Sequence, residues 1–166
     1  MLRIIYAWKD LDFQQWMEVY EQSNQTWAKE LYDNFPQYEQ QLRTQEDVRC
    51  NIQFFLRDSD AFCAVWEQNG KYLSALRMEP FEDGLLLEGL ETKPSERQKG
   101  YGKILVQELL LALGKKGSVT IYSHIHKRNL PSRKIHEACG FQKIQDHAVF
   151  IDGSVSHNAI TMQYKK

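Results

Sequence analysis

The stretch from Gly84 to Lys115, GLLLEGLETKPSERQKGYGKILVQELLLALGKK, constrains the fold more than any other. An apolar strand reaching Glu91 is followed by Pro94, by a basic turn carrying Arg97, Lys99, Gly100 and Gly102, and then by a strongly apolar helix pattern. The first turn of such a helix has backbone N–H groups without intrahelical partners and the positive end of the helix dipole, so it suits an anion, commonly a phosphate. Gly100 and Gly102 lack the Cβ that would hold a ligand away, and Arg97, Lys99 and Lys103 add positive charge. The local reading is a site for a polyphosphate-bearing ligand. The spacing is neither GxGxxG nor the P-loop GxxxxGK[ST], because the lysine and hydroxyl residue of the latter are missing after the second glycine. A helix that merely starts after a basic turn would leave the same short pattern.

The flanking elements define what the stretch can pack against. Leu2 to Ala7 reads as a strand, after which Asp10 or Asp12 caps a helix with Phe13, Trp16, Met17 and Tyr20 on one face. Trp27, Leu31 and Phe35 continue a helical stripe until Pro36 stops it, and Thr44 with Asp47 resembles a capping box opening a third helix through Val48, Ile52, Phe55 and Leu56. Ala61 to Glu67 and Lys71 to Glu79 are strand-like and joined by Asn69-Gly70, the pair a type I′ hairpin turn prefers. Asp83-Gly84 marks a further reversal. After the Gly102 to Leu113 helix, Gly114 is the expected C-cap. Ser118 to Ile125 is a strand, Pro131 to Ala138 a helix closed by Gly140, and Phe141 to Ile144 with Ala159 to Tyr164 the last two strands. The fourth and fifth strands flank a helix, so they should run parallel through a right-handed crossover. The fold class is α/β: one domain over residues 1–166 with a mixed, mostly antiparallel sheet of about seven strands.

Charge narrows the partners. The net charge is -1, so no global polycation is present to hold nucleic acid by counterion release. Residues 1 to 60 carry 6 Lys/Arg against 11 Asp/Glu, which leaves a basic remainder. An acidic N-terminal part suits a cationic amine and a basic C-terminal part suits phosphates, although charge runs are more often solvated faces. Cys50, Cys63 and Cys139 are odd in number, far apart and free of metal-finger spacing, as expected in a reducing cytoplasm. The N-terminal apolar run is interrupted at Lys9, too early for a signal peptide or a membrane span. His124 and His126 share one face of a strand, but no third ligand stands at a recognisable spacing, so no metal is expected.

The wider pattern resembles the GNAT family of N-acetyltransferases. Arg97, Gly100 and Gly102 fill its motif A, with Pro94 three residues before the arginine. Asn129, Ser132, Ile135, Glu137, Gly140 and Phe141 stand at the spacing of its motif B, whose helix usually ends in Gly-Phe. The resemblance implies a fold in which the parallel fourth and fifth strands splay apart between flanking helices. It implies acetyl coenzyme A as cosubstrate, direct transfer to an amine without an acyl-enzyme, an acceptor taken here as a small molecule, and pairing of two domains as often seen in the family. It also implies that the pyrophosphate meets the amides of Gln98, Lys99, Gly100, Tyr101, Gly102 and Lys103, with Arg97, Lys99 and Lys103 as charge partners. Leu90 to Thr92, and Thr92 with them, would offer backbone to the pantetheine arm, much as an added strand pairs with a sheet edge. Asn129 and Ser132 would approach the arm from the other side, although Asn129 equally reads as a helix N-cap. Aromatic rings of the N-terminal helices, Trp27 among them, would either line an acceptor wall or pack in the core.

An ammonium cannot attack, so a base must take its proton. Glu88 stands on an otherwise apolar strand, where burial would raise its pKa, and Glu91 lies nearer the strand end; an ion pair with Arg77 is the competing role for Glu88. The family often has Tyr four residues before the motif B glycine to protonate the leaving thiolate, whereas this chain has His136. Imidazole can donate a proton near neutral pH. Tyr122 is a second candidate donor, and a thiolate can also leave unassisted. The departure at His136 motivates an alternative, a noncatalytic acyl-CoA sensor. A protein lysine or N-terminus as acceptor, and a nucleotide-binding module sharing only the basic loop, complete the alternatives.

Overall fold

The computed structural model describes residues 1–57 and 60–166. Strands β1 (Leu2–Ile5), β2 (Phe62–Gln68), β3 (Lys71–Phe81), β4 (Gly84–Thr92), β5 (Thr120–His126) and β6 (Gln142–Gln145) precede a short hairpin of β7 (Ala148–Val149) and β8 (Val155–Ser156), and β9 (Ala159–Lys165) ends the chain. Seven of them form one sheet in the order β1-β2-β3-β4-β5-β9-β6, in which only β4 and β5 are parallel. The expected mixed, mostly antiparallel architecture is therefore present. The β7-β8 hairpin was not expected, because two-residue strands around a turn are too short to show alternation.

Among the described residues five α-helices cover the sheet: α1 (Phe13–Val19), α2 (Glu21–Tyr32), α3 (Gln37–Phe55), α4 (Tyr101–Gly114) and α5 (Leu130–Ala138). Alternating side chains feed two cores. Ala64, Leu76 and Leu87 pack with Leu105, Val106 and Leu109 of α4 on one face, while Cys63, Val65 and Ala75 pack with Trp16 and Val19 of α1 and Val48 and Ile52 of α3 on the other.

Caps explain most boundaries. Asp12 caps α1, its carboxylate accepting from the Gln15 N–H at 3.1 Å. Helix α3 begins at Gln37 rather than at Thr44: the Pro36 carbonyl accepts from Glu39 and Gln40 N–H at 2.9 and 3.0 Å, so the helix is already nucleated before the capping-box pattern, and Thr44 lies inside it. Asn69 and Gly70 both have positive φ, 52° and 70°, as a type I′ turn requires. Gly114 is still helical, since the Lys115 N–H bonds to Leu111 at 3.3 Å, and the positive φ falls at Gly117 instead.

The decisive irregularity is in β4. Its pairing with β5 covers Leu85, Leu86 and Leu87, opposite Ile121, Tyr122 and Ser123, and then ends. On its other edge Arg77 faces Glu88 and Ala75 faces Glu91, so β4 has one more residue than β3 between those pairs, with Gly89 at φ 58°. Such a bulge bends the strand, and here it carries β4 away from β5 and opens a wedge between two parallel strands.

Candidate active site

A cleft of about 960 Å³ lies where the wedge opens. Its walls are the end of β4 (Leu90, Glu91, Thr92), the loop and first turn of α4 (Arg97, Gln98, Gly100, Tyr101, Gly102, Lys103), the start of α5 (Asn129, Pro131, Ser132, Lys134, Ile135) and one face of α2 (Gln22, Ser23, Thr26, Trp27, Glu30). Two sequence motifs separated by a helix and a strand thus meet at one cavity.

The glycine loop is built by conformation. Gln98 and Gly100 both have positive φ, 64° and 84°. Successive turns of that kind point backbone amides into one concavity. The first backbone bond of α4 runs from the Ile104 N–H to the Gly100 carbonyl at 3.0 Å, which leaves the earlier amides of the turn without intrahelical acceptors. A Cβ at Gly100 would meet nothing within 4 Å, so its need for glycine is the left-handed φ. Gly102 is different: a Cβ there would stand 3.2 Å from Thr92 Oγ1 and 3.4 Å from Ile135 Cδ1, so glycine lets α4, β4 and α5 converge.

The basic side chains divide. Arg97 is tied across the cleft, with Nε donating to the Thr92 carbonyl at 3.3 Å, a hydrogen bond to the Gln22 amide and an ion pair with Glu91 at 3.7 Å. Lys99 turns outward to Glu96 at 2.8 Å and does not line the cleft. Lys103 lines it together with Lys134, a cation that the motif spacing did not single out. Asn129 does cap α5, its Oδ1 accepting from the Ser132 N–H at 3.1 Å, and it also lines the cleft.

The two glutamates separate. Glu88 pairs with Arg77 across β3 and β4 at 3.5 Å and is absent from the cleft wall. Glu91 is on the wall with its side chain 21% exposed, and it accepts a hydrogen bond from the Ser23 hydroxyl. Burial pushes its carboxyl above the ordinary value, against the opposing pull of Ser23 and Arg97.

His136 stands behind the cleft wall, 1% exposed. Its Nδ1 is 2.8 Å from the Ser132 carbonyl, its ring meets Phe141 edge-on at 4.9 Å, and burial lowers its pKa. An imidazole whose Nδ1–H is given to its own helix and which burial keeps neutral has no proton on Nε2 to offer. Tyr122 is likewise directed elsewhere, donating to Asp83 at 2.6 Å at the β3-β4 turn. Tyr20, one of the N-terminal aromatic rings considered for the acceptor wall or the core, donates to the Gly89 carbonyl at 2.6 Å and so holds the bulge.

The α2 wall is what sequence reasoning missed. Gln22, Thr26 and Glu30 recur every four residues and form one helical stripe, but a polar stripe beside Ser23 reads as a solvent face until the helix is placed. Of the N-terminal aromatic rings considered for an acceptor wall, Trp27 lines this cleft, whereas Trp16, Tyr20, Tyr32, Phe35 and Tyr38 do not.

The acetyltransferase (GNAT) family profile matches residues 13–141. No curated protein sequence matches the chain. Among solved structures, the PaiA N-acetyltransferase of Thermoplasma acidophilum in complex with coenzyme A superposes with a TM-score of 0.67 at 16% identity, covering 100% of this chain and 99% of that one. The ribosomal-protein-S18-alanine N-acetyltransferase of Escherichia coli gives 0.62 at 18% identity, covering 99% and 94%. An aminoglycoside 6′-acetyltransferase of type Ii gives 0.66 at 16% identity, covering 99% and 96%. At such identities these likenesses establish the fold.

Proposed function

The chain belongs to the acetyltransferase (GNAT) family, which takes its acetyl group from acetyl-CoA, and from that premise we propose that it transfers the group directly to the primary amine of a small molecule. The observation that carries this reading is the single cleft joining a bulged β4 edge, the free amides of the α4 turn and a carboxylate with a raised pKa. The amides of Gln98 to Lys103 hold the pyrophosphate, with Lys103 nearby and Arg97 released from Gln22 and Glu91 as the phosphates arrive. Leu90 and Thr92 present backbone to the pantetheine arm, and Asn129 and Ser132 close over it. The acid-rich N-terminal helices favour a cationic acceptor.

Glu91 takes the ammonium proton, directly or through water, because it faces the cleft while Glu88 is held by Arg77. The neutral amine attacks the thioester carbonyl, the C–S bond breaks, and the second N–H proton ends on the departing sulfur. With a reference thiol pKa of about 8.5, that thiolate leaves without a dedicated acid, so His136 is not required for the step. The fold also orients the two reactants, which lowers the entropic part of the barrier.

The test is coenzyme A thiol release across a panel of amines that includes peptides with free lysines and N-termini. Glu91→Gln should lower kcat by about 100-fold at saturating acceptor, and Glu88→Gln by much less. The reverse order would move the base to Glu88. A second reading, an acyl-CoA sensor, is favoured by the burial of His136, where the family often places an acid. It predicts stabilisation by acetyl-CoA with no thiol release for any amine.

A further inference from the structure

The bulge in β4 decides which face of the sheet Glu91 occupies. Arg77 stands opposite Glu88 and Ala75 opposite Glu91, so Leu76 alone on β3 is matched by both Gly89 and Leu90 on β4. Arg77 and Ala75 are two residues apart and share a face, and Glu88 and Glu91 therefore share it with them. It is the face on which Ala75 packs with α1 and α3. A regular strand would instead set Leu90 opposite Ala75 and Glu91 opposite Ser74, whose hydroxyl lies beneath α4, 3.9 Å from where a Cβ on Gly102 would stand. One residue of slip would thus turn Glu91 from α2 to α4.

Glycine at position 89 permits the bulge but does not hold it. Gly89 takes its φ of 58° without a steric penalty, and the same freedom lets it return to an extended conformation. Beyond Leu87 the strand has also lost β5 as a partner. The restraint comes from the joint between α1 and α2, where Tyr20 ends one helix and precedes the other. Its hydroxyl donates to the Gly89 carbonyl at 2.6 Å, and one turn further on the Ser23 hydroxyl donates to Glu91. The Tyr20 ring is itself seated, its centroid 4.7 Å from that of the buried Trp16. Burial, with Cys63, Glu88 and Glu91 nearby, holds its phenol well above the ordinary value against the pull of Arg77, so the hydroxyl stays a donor.

We propose that Tyr20 is a positioning residue for acetyl transfer: by pinning the Gly89 carbonyl it keeps β4 bulged and Glu91 turned toward Ser23 and the cleft. The proposal rests on Glu91 being the base that takes the ammonium proton. Tyr20 does not line the cleft, so its effect on the reaction passes through the β4 backbone. Small displacements of a group that must meet a reacting atom act on the rate more than on binding.

The test compares the full chain with Tyr20→Phe, which removes the hydroxyl and keeps the ring. The Glu91 carboxyl is followed against pH by carbon NMR of glutamate-labelled protein, with Glu91→Gln assigning its signal. Ser23 and Arg97 already pull that carboxyl down, so loss of burial, its largest influence, sets the direction: its titration should fall toward the ordinary 4.5, and the acid limb of kcat/KM should follow to lower pH. Coenzyme A thiol release should show kcat about tenfold lower with KM for acetyl-CoA unchanged, and no further loss when Tyr20→Phe is added to Glu91→Gln. Gly89→Ala tests the bulge with the hydroxyl in place: its Cβ would stand 3.6 Å from both Tyr20 and Arg77, an ordinary contact, so only the left-handed φ is opposed, and the titration should move the same way. The proposal is overturned if either variant leaves the Glu91 titration in place, if KM rises while kcat holds, or if Tyr20→Phe costs as much kcat in the Glu91→Gln chain as in the parent. Should Glu91→Gln alone leave kcat intact, the base reading fails and takes the proposal with it; an unmoved titration removes Tyr20 and leaves the base reading standing.

Discussion

Helices α4 and α2 face one another across the cofactor cleft and are held by opposite means. Helix α4 buries Gly102, Leu105, Val106, Leu109 and Leu110 against the sheet, whereas α2 buries only Ala28. Beyond Ala28 and the partly buried Trp27, which packs against the second core, helix α2 is positioned by polar contacts, Ser23 to Glu91, Gln22 to Arg97 and Tyr32 to Asp47, and by Arg43 of α3, whose guanidinium lies 4.0 Å over the Phe35 ring just beyond the α2 C-terminus. Apolar packing admits few alternative positions, while exposed polar contacts exchange readily with water or ligand. The wall built on α4 is therefore rigid, and the wall opposite it can adjust to what the cleft contains.

The same substitution in each helix is the largest test of that contrast. Leu109→Ala in α4 should cost about 2–5 kcal/mol of unfolding free energy, because it empties a fully buried site. Leu31→Ala in α2, where the leucine is 53% exposed, should stay within about 0.5 kcal/mol. Urea unfolding monitored by circular dichroism reads both. Comparable losses would mean that α2 is as firmly seated as α4, and the contrast would fail.

Arg97 gives the next effect, because it bridges the two walls. Arg97→Gln should weaken coenzyme A binding by about tenfold or more in calorimetry, the loss of a charge-assisted hydrogen bond to phosphate. Stability should change by less than about 1 kcal/mol, since the Arg97 side chain is itself largely open to solvent. A large destabilisation with unchanged affinity would make Arg97 a structural strap between α2 and β4.

The rigid side was also the legible side. Gly100 and Gly102 are required by backbone conformation and close approach respectively, and such requirements write themselves into residue types. The parallel pairing of β4 with β5 followed from a helix standing between two strands. Gly89 is a missed signal: a glycine inside an apolar strand often marks a bulge, and this one creates the wedge. Because the bulge shifts the phase of alternation, counting along β4 could not assign Glu88 and Glu91 to their surroundings. The α2 wall left no comparable mark, since Gln22, Thr26 and Glu30 suit solvent as well as a cleft. His136 stood out in the sequence, but its burial behind the wall depends on how α5 is rotated against Phe141.

Ser23→Ala is the mildest probe and asks whether the adjustable wall tunes the chemistry. The Glu91 carboxyl titrates above its ordinary value of 4.5 because burial disfavours its charge, and the Ser23 hydroxyl opposes that shift by donating to the carboxylate. With the folded pKa above the unfolded one, the folded chain holds the proton more tightly. Glu91 thus favours folding at low pH, and that contribution is lost as pH rises through the raised value. Removing the hydroxyl raises the folded pKa further, so the acid limb of kcat/KM should move to higher pH. The melting temperature at pH 8 should fall by about 2–4 °C at most, the equivalent of one hydrogen bond of about 1 kcal/mol in a chain of this length. An acid limb that does not move while the melting temperature falls would leave Ser23 as a positional contact of α2 and remove Glu91 from the proton path, because a base in that path must carry its own titration into the rate.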